Sequence, residues 1–208
     1  MSERRSDAYG GLYEDTGLYE GRSATWGARH RIQLVPTADP EDIARWWARV
    51  CEDLHPMEAH FGHEGRAPRP RVQDSYLAVW LDESLAPAGG CGDGRLIGLA
   101  WLQRPYPGIR AYGFGLFPEC RRRGHGVCVK CALLAACFGD PSIHRVETEV
   151  YSSNTFSLRV LHGVDDPMAR EGIQREVMQL NGRYYDRVLY GILRDEWAQH
   201  QTTRAKEG

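Results

Sequence analysis

Pro118-Glu119-Cys120-Arg121-Arg122-Arg123-Gly124-His125-Gly126-Val127 runs three consecutive arginines into Gly-x-Gly, and a helix-forming segment, Val127 to Phe138, follows at once. Glycine lets a backbone approach a ligand closely, and the first N–H groups of a helix have no partner inside it. The helix dipole adds partial positive charge at that end, which suits phosphate. Just before it, Ala111-Tyr112-Gly113-Phe114-Gly115-Leu116-Phe117 reads as a strand. Strand, basic glycine turn and helix together describe a cradle for a pyrophosphate. A solvated charge run would explain the arginines alone, but not the glycine spacing or the helix context.

Working outward, His30 to Pro36 alternates as a strand, and Asp39-Pro40-Glu41-Asp42 opens a helix carrying Ile43, Trp46, Trp47 and Val50. A polar stretch from His55 to Gln73 reads as short helix plus loop. Tyr76 to Leu81 and Leu96 to Leu102 are strands around a glycine-rich turn, Leu85 to Arg95. Beyond the cradle helix come a strand, His144 to Tyr151, and a short helix, Asn154 to Leu161. Two strands, Gln174 to Leu180 and Tyr184 to Leu193, then flank the hairpin signal Asn181-Gly182. The expected class is α/β (α+β), with a central, mostly antiparallel sheet of seven strands flanked by helices. We divide the chain into an N-terminal extension at 1–29, a domain at 30–197 and a polar tail at 198–208. The extension is either flexible or an arm docked on the domain or on a second subunit, the latter making a homodimer.

The chain has 208 residues and a formal net charge of -2, with its positive charge concentrated at Arg121 to Arg123. That balance argues against a nucleic-acid partner and for a small polyanion. No apolar run approaches the roughly 20 residues of a membrane span, and the N-terminus lacks a secretory apolar core. The expected compartment is the cytoplasm, with no membrane partner, and the six cysteines are expected to be reduced thiols. Cys128 and Cys131 form Cys-x-x-Cys. However, Val127, Cys131, Leu134 and Phe138 fall at helical core spacing, so no metal site is expected there.

This element order, with the cradle after the fourth strand, resembles the GNAT superfamily of acetyl-coenzyme A (CoA)-dependent N-acetyltransferases. Their motif of Gln or Arg, two variable residues, Gly, a variable residue and Gly or Ala is matched by Arg121-Arg122-Arg123-Gly124-His125-Gly126. Ser153-Asn154-Thr155-Phe156-Ser157 resembles the start of the family helix that lies along the pantetheine arm. The segment Asn181 to Leu193 resembles the branch of ribosomal-protein N-terminal acetyltransferases (RimJ/RimL-like). The resemblance spans roughly residues 30 to 197 and implies a sheet splayed between its fourth and fifth strands. It also implies acetyl-CoA as co-substrate, and a small-molecule amine or a protein N-terminus as acceptor. Leu161 stands where many members have a tyrosine that protonates the departing thiolate, and the loop after it is altered.

On that resemblance the cofactor would be held by Phe117, Arg121, Arg122, Arg123, Gly124, His125, Gly126, Asn154 and Ser157, mainly through backbone N–H groups of the turn. Lys130 is placed to reach the adenosine 3'-phosphate. A main-chain amide among Gly115, Leu116 and Phe117, with Leu116 central, would polarise the thioester carbonyl. Gly113 and Gly115 fit either a bulge there or close packing of strand and helix. An alkyl amine with a pKa near ~10.4 is mostly protonated at neutral pH, so a base is needed. Glu149 is the first candidate, with Glu147 on the same sheet face; both could instead be solvent-facing. His162 and Tyr190 are candidate proton donors or substrate contacts. Ser157 is expected to hydrogen-bond thiol or pantetheine, or else to cap a helix end. The acceptor pocket is expected from residues 41 to 74, which include His55, Glu58, His60, His63 and Glu64, and from a loop at 163 to 172. The alternative function is a catalytically weak domain of the same fold that binds acyl-CoA as a sensor or structural partner.

Overall fold

The computed structural model describes residues 31–52, 75–82, 95–162 and 166–207. The N-terminal extension, the stretch with His55, His60 and His63, and the glycine-rich turn before residue 95 lie outside them. Asp39 starts the first helix as its composition predicts: its Oδ1 accepts the Glu41 N–H at 2.8 Å, and Pro40 takes the first position. Seven strands, β1 (Arg31–Thr37), β2 (Ser75–Asp82), β3 (Arg95–Gln103), β4 (Ile109–Leu116), β5 (Arg145–Tyr151), β6 (Ala169–Leu180) and β7 (Arg183–Leu193), form one sheet. Four helices flank it: α1 (Pro40–Cys51), α2 (His125–Gly139), α3 (Thr155–Leu161) and α4 (Arg194–Glu207).

The strand order is β1-β2-β3-β4-β5-β7-β6, and all neighbours are antiparallel except β4 and β5. That parallel pair is in register for only three positions, Ile109↔Arg145, Arg110↔Val146 and Ala111↔Glu147. Beyond them the two strands separate. Thr148 Oγ1 still reaches the Tyr112 carbonyl at 2.9 Å, a side-chain bond where the backbone ladder has ended. The chain therefore opens a gap in the middle of its own sheet.

Apolar residues of α2 (Val129, Leu133, Leu134) join Val79, Ile97, Val146 and Ile192 in the main core; a smaller cluster under α1 joins Ile43, Trp47 and Val50 to Leu99 and Phe117. Cys131, Leu134 and Phe138 are buried as expected, but Val127 is 42% exposed, because the helix turns that position outward at its first turn. Gly113 and Gly115 serve close packing. A Cβ on Gly113 would lie 2.0 Å from the Trp101 ring, and one on Gly115 would lie 2.2 Å from Val50. The β3–β4 register runs unbroken past both, so neither marks a bulge in that pairing.

Two features depart from the expected elements. The segment 169–172, expected as loop, belongs to β6, which starts five residues earlier than its apolar pattern suggests. The polar C-terminal residues are helical through Glu207. Helix α4 docks where Trp197 stacks on Phe138 at 6.1 Å and Arg194 donates to the carbonyls of Phe138, Asp140 and Ile143, satisfying the orphan C-terminus of α2.

Candidate active site

A cavity of about 770 Å³ fills the β4–β5 gap. Tyr112, Gly113 and Phe114 of β4 line one side and Glu147 to Tyr151 of β5 the other; α1 adds Ile43, Ala44 and Trp47, and α3 adds Ser157, Val160 and Leu161. Trp47 meets Trp101 edge to face at 5.1 Å, so both tryptophans are wall and core, as their apolar setting suggests.

In an antiparallel ladder, alternate residues bond to the neighbour and the rest point away. Phe117 N–H donates to the Ile97 carbonyl at 2.9 Å, which makes Ile97 and Phe117 a bonded pair. The next pair, Gly98 and Leu116, is therefore unbonded, and the Leu116 backbone turns to the β5 side. Tyr112 has the same parity, and its carbonyl does face β5, where Thr148 finds it. Of the expected amides, Leu116 thus aims toward the gap. Phe117 does not: its amide is taken by Ile97, its carbonyl by the Cys120 N–H, and its ring is fully buried under the Arg49 guanidinium. It is a core residue, with neither ring nor amide to offer a cofactor.

At the end of β4, a 3-10 turn (Pro118–Cys120) leads into the glycine turn. Arg122 and Gly124 take left-handed φ values of 60° and 84°, and Gly124 is the N-cap of α2. A Cβ built on Gly124 would meet nothing within 4 Å, so that face of the turn is open to a ligand. The first amides of α2 lack helical partners by geometry, and Arg122, Arg123 and Arg159 are exposed around them. Arg122 and Arg159 also lie over the Phe156 ring, at 5.1 and 6.0 Å. These residues fit the pyrophosphate of a CoA-type ligand.

Three expected contributions fall away. The Arg121 side chain faces inward, donating to the carbonyls of Leu116 at 3.0 Å, Glu52 at 3.1 Å and Val50 at 2.5 Å. Its own amide donates to Pro118. It closes the C-terminus of α1 against β4 instead of charging the cradle. The His125 imidazole is 1% exposed, which leaves only its backbone to a ligand. Lys130 is 2% exposed and pairs with Asp166, also donating to the Val160 carbonyl at 3.0 Å, so its ammonium is not turned toward any phosphate. Replacing Arg121 by Met should cost about 2 kcal/mol of stability and leave CoA affinity of the folded protein unchanged. Arg122→Met should do the reverse. Thermal melts and calorimetry on the two variants check this.

Glu149 and Glu147 both line the cavity, as their spacing implies. The Glu149 side chain is half exposed, with Oε2 accepting from Arg187 at 2.8 Å. Glu147 accepts from Arg145 Nε at 3.1 Å, and Arg145 also forms a two-pronged pair with Glu171, which holds the Glu171 carboxyl below its usual range. That bridge crosses β7 at Gly191, where a Cβ would lie 2.5 Å from both partners. Glu171 is the site residue the sequence concealed, since Ala169-Arg170-Glu171-Gly172 has no apolar alternation. Asn154 and Ser157 come together as expected: Asn154 Oδ1 caps α3 by accepting the Ser157 N–H at 3.0 Å, and both line the cavity. The cap is thus the asparagine and not the serine hydroxyl.

His162 Nε2 lies 2.5 Å from the hydroxyl of Tyr190, a cavity-lining residue. Burial raises the Tyr190 pKa, with Arg170 opposing and Asp166 adding to the shift. Among the described residues, no group of three or more His, Cys, Asp or Glu side chains converges as a metal site would require. Cys128 is half-buried and Cys131 buried, both as free thiols. No described helix is long and apolar enough to cross a membrane.

No family model matches the chain. Spermidine N-acetyltransferase from Vibrio cholerae, in complex with CoA and spermine, superposes with a TM-score of 0.62 at 15% identity, over 80% of this chain and 98% of that one. A GCN5-related N-acetyltransferase from Brucella melitensis gives 0.61 at 19% identity, over 84% of this chain and 81% of that one. With its single parallel β4–β5 pair, the gap beyond it and the glycine turn into α2, the chain has the fold of the GNAT acetyltransferases.

Proposed function

We propose that the protein is a GNAT N-acetyltransferase of the RimJ/RimL-like branch, acting in the cytoplasm, that moves an acetyl group from acetyl-CoA to a cationic primary amine by direct attack on the thioester. One observation carries this: a left-handed glycine turn opening onto a helix N-terminus follows β4, one wall of a gap whose cavity carries three carboxylates, Glu147, Glu149 and Glu171. The backbone of Arg122 to Gly126, with the charges of Arg122, Arg123 and Arg159, binds the pyrophosphate end. Asn154 and Ser157 border the pantetheine path. The Leu116 amide donates to the thioester oxygen as negative charge develops there. Glu149, partly open to solvent, takes the ammonium proton directly or through water, and its pair with Arg187 fixes its position.

Three carboxylates, Glu147, Glu149 and Glu171, against the two arginines paired with them, Arg145 and Arg187, leave one net negative charge to attract a cation, and Trp47, Tyr76 and Trp101 offer aromatic faces to its carbon chain. A small cationic amine suits these walls better than a protein N-terminus, whose following backbone would need an exit. The spermine held by the Vibrio cholerae protein is a cation of this kind.

The test is release of CoA thiol from acetyl-CoA with polyamines, aminoglycosides and short peptides. Turnover with the polycations is expected, and CoA binding without turnover across the panel would favour the sensor function instead. Glu149→Gln should lower kcat at neutral pH by about 100-fold with little change in CoA affinity, and the loss should shrink as pH approaches the pKa of the amine. An equal loss at every pH would contradict the base role.

A further inference from the structure

The reaction needs a proton for the departing sulfur, and Leu161 has none to give. Leu161 is 6% exposed and lines the cavity beside Tyr190, whose phenol reaches the same space from β7. Tyr190 stands opposite Thr148 of β5 and Arg170 of β6, so its place is fixed by two registers. Its hydroxyl is bonded to the imidazole of His162, which is exposed at the end of α3. The rings are 5.9 Å apart at 53°. Solvent, imidazole, phenol and cavity thus lie in series.

We propose that Tyr190 and His162 form a proton relay that protonates the leaving thiolate, taking the place of the tyrosine absent at position 161; this rests on the acetyl-transfer function proposed above. As the amine N–C bond forms and the C–S bond breaks, sulfur takes the Tyr190 hydroxyl proton, Tyr190 Oη takes the proton on His162 Nε2, and His162 is reprotonated from water. The ammonium gives one proton to Glu149 before attack and the new N–C centre loses a second to solvent after it; sulfur gains one through the relay, so the cycle releases one net proton and balances. Tyr190 alone would be a poor donor. Phenols are weaker acids than thiols, and burial weakens this one further. An imidazolium is a stronger acid than a thiol, so coupling the two rings makes net transfer to sulfur downhill. Among the described residues, Arg170 and the Asp166–Lys130 pair are the other charged groups that act on the phenol, and Asp166 is already held by Lys130.

Tyr190→Phe keeps the ring and removes the proton. It should lower kcat about 100-fold, while calorimetry shows unchanged CoA affinity. His162→Gln, at the exposed end of α3, should lower kcat about 10-fold. Independently of activity, ¹⁵N spectra of the ligand-free chain should place the neutral His162 proton on Nε2, and Tyr190→Phe should remove that preference. Wild-type kcat in either variant, or no change in the His162 tautomer, would overturn the relay while leaving acetyl transfer standing. If Tyr190→Phe does not fold, His162→Gln decides alone. A wild-type chain that binds CoA without turnover overturns the acetyl-transfer function, and the relay with it.

Discussion

Gly124→Glu is expected to lower CoA affinity by at least about 100-fold, roughly 2.7 kcal/mol. Three effects act in one direction. The φ of 84° is costly for a residue with a Cβ, by about 1–2 kcal/mol, so the turn is distorted. The new side chain enters the open face where nothing lies within 4 Å, the space a pyrophosphate would take. Its carboxylate is itself favoured by the N-terminus of α2, and so competes with the ligand for the same amides. Gly124→Asn is the control, because asparagine tolerates the left-handed region and brings no charge. It should lose only about 10-fold. Calorimetric titration with CoA checks both, and equal affinity of Gly124→Glu and wild type would count against the cradle.

The second large effect is on stability. Asp166→Ala leaves the Lys130 ammonium buried against the Val160 carbonyl without its counter-charge, and should cost about 3–5 kcal/mol. This pair joins α2 to the end of α3 and to the chain entering β6, so both cavity wall and cradle helix loosen when it breaks. Lys130→Met combined with Asp166→Leu removes both charges and should recover most of the loss, since desolvation offsets much of a buried pair's attraction. Denaturant unfolding of Lys130→Met, Asp166→Leu and their combination gives the coupling directly. Additive losses would mean that the pair does not act as a unit.

What was legible in the sequence was what short-range chemistry specifies. The cap at Asp39, the turn from Arg121 to Gly126 and the Asn154 helix start are local devices, and each sits where its residues place it. The side chains around them were less legible, because their roles depend on distant partners. Arg121 carries the motif's charge yet spends its donors on carbonyls about 70 positions back, at Val50 and Glu52. Lys130 sits on a helix face that α3 and Asp166 cover, which nothing near it in sequence announces. The start of β6 carries charged residues because its side chains bridge strands through Arg145 and Glu171 instead of filling a core. Helix α4 has little apolar pattern; Trp197 is its one buried large hydrophobic among the described residues. Its docking depends on Arg194 and the end of α2.

On the proposed function, the turn from Arg122 to Gly126 would hold the CoA pyrophosphate while the Leu116 amide faces the acyl end of the same ligand. Titrating the ¹⁵N-labelled chain with CoA, and then with acetyl-CoA, tests this most directly by the movement of backbone amide resonances. CoA should shift the amides of Arg122 to Gly126 together with those of Asn154 and Ser157, and acetyl-CoA should add a shift at Leu116. Shifts confined to other elements, or none at the glycine turn at saturating CoA, would rule the turn out as the pyrophosphate site.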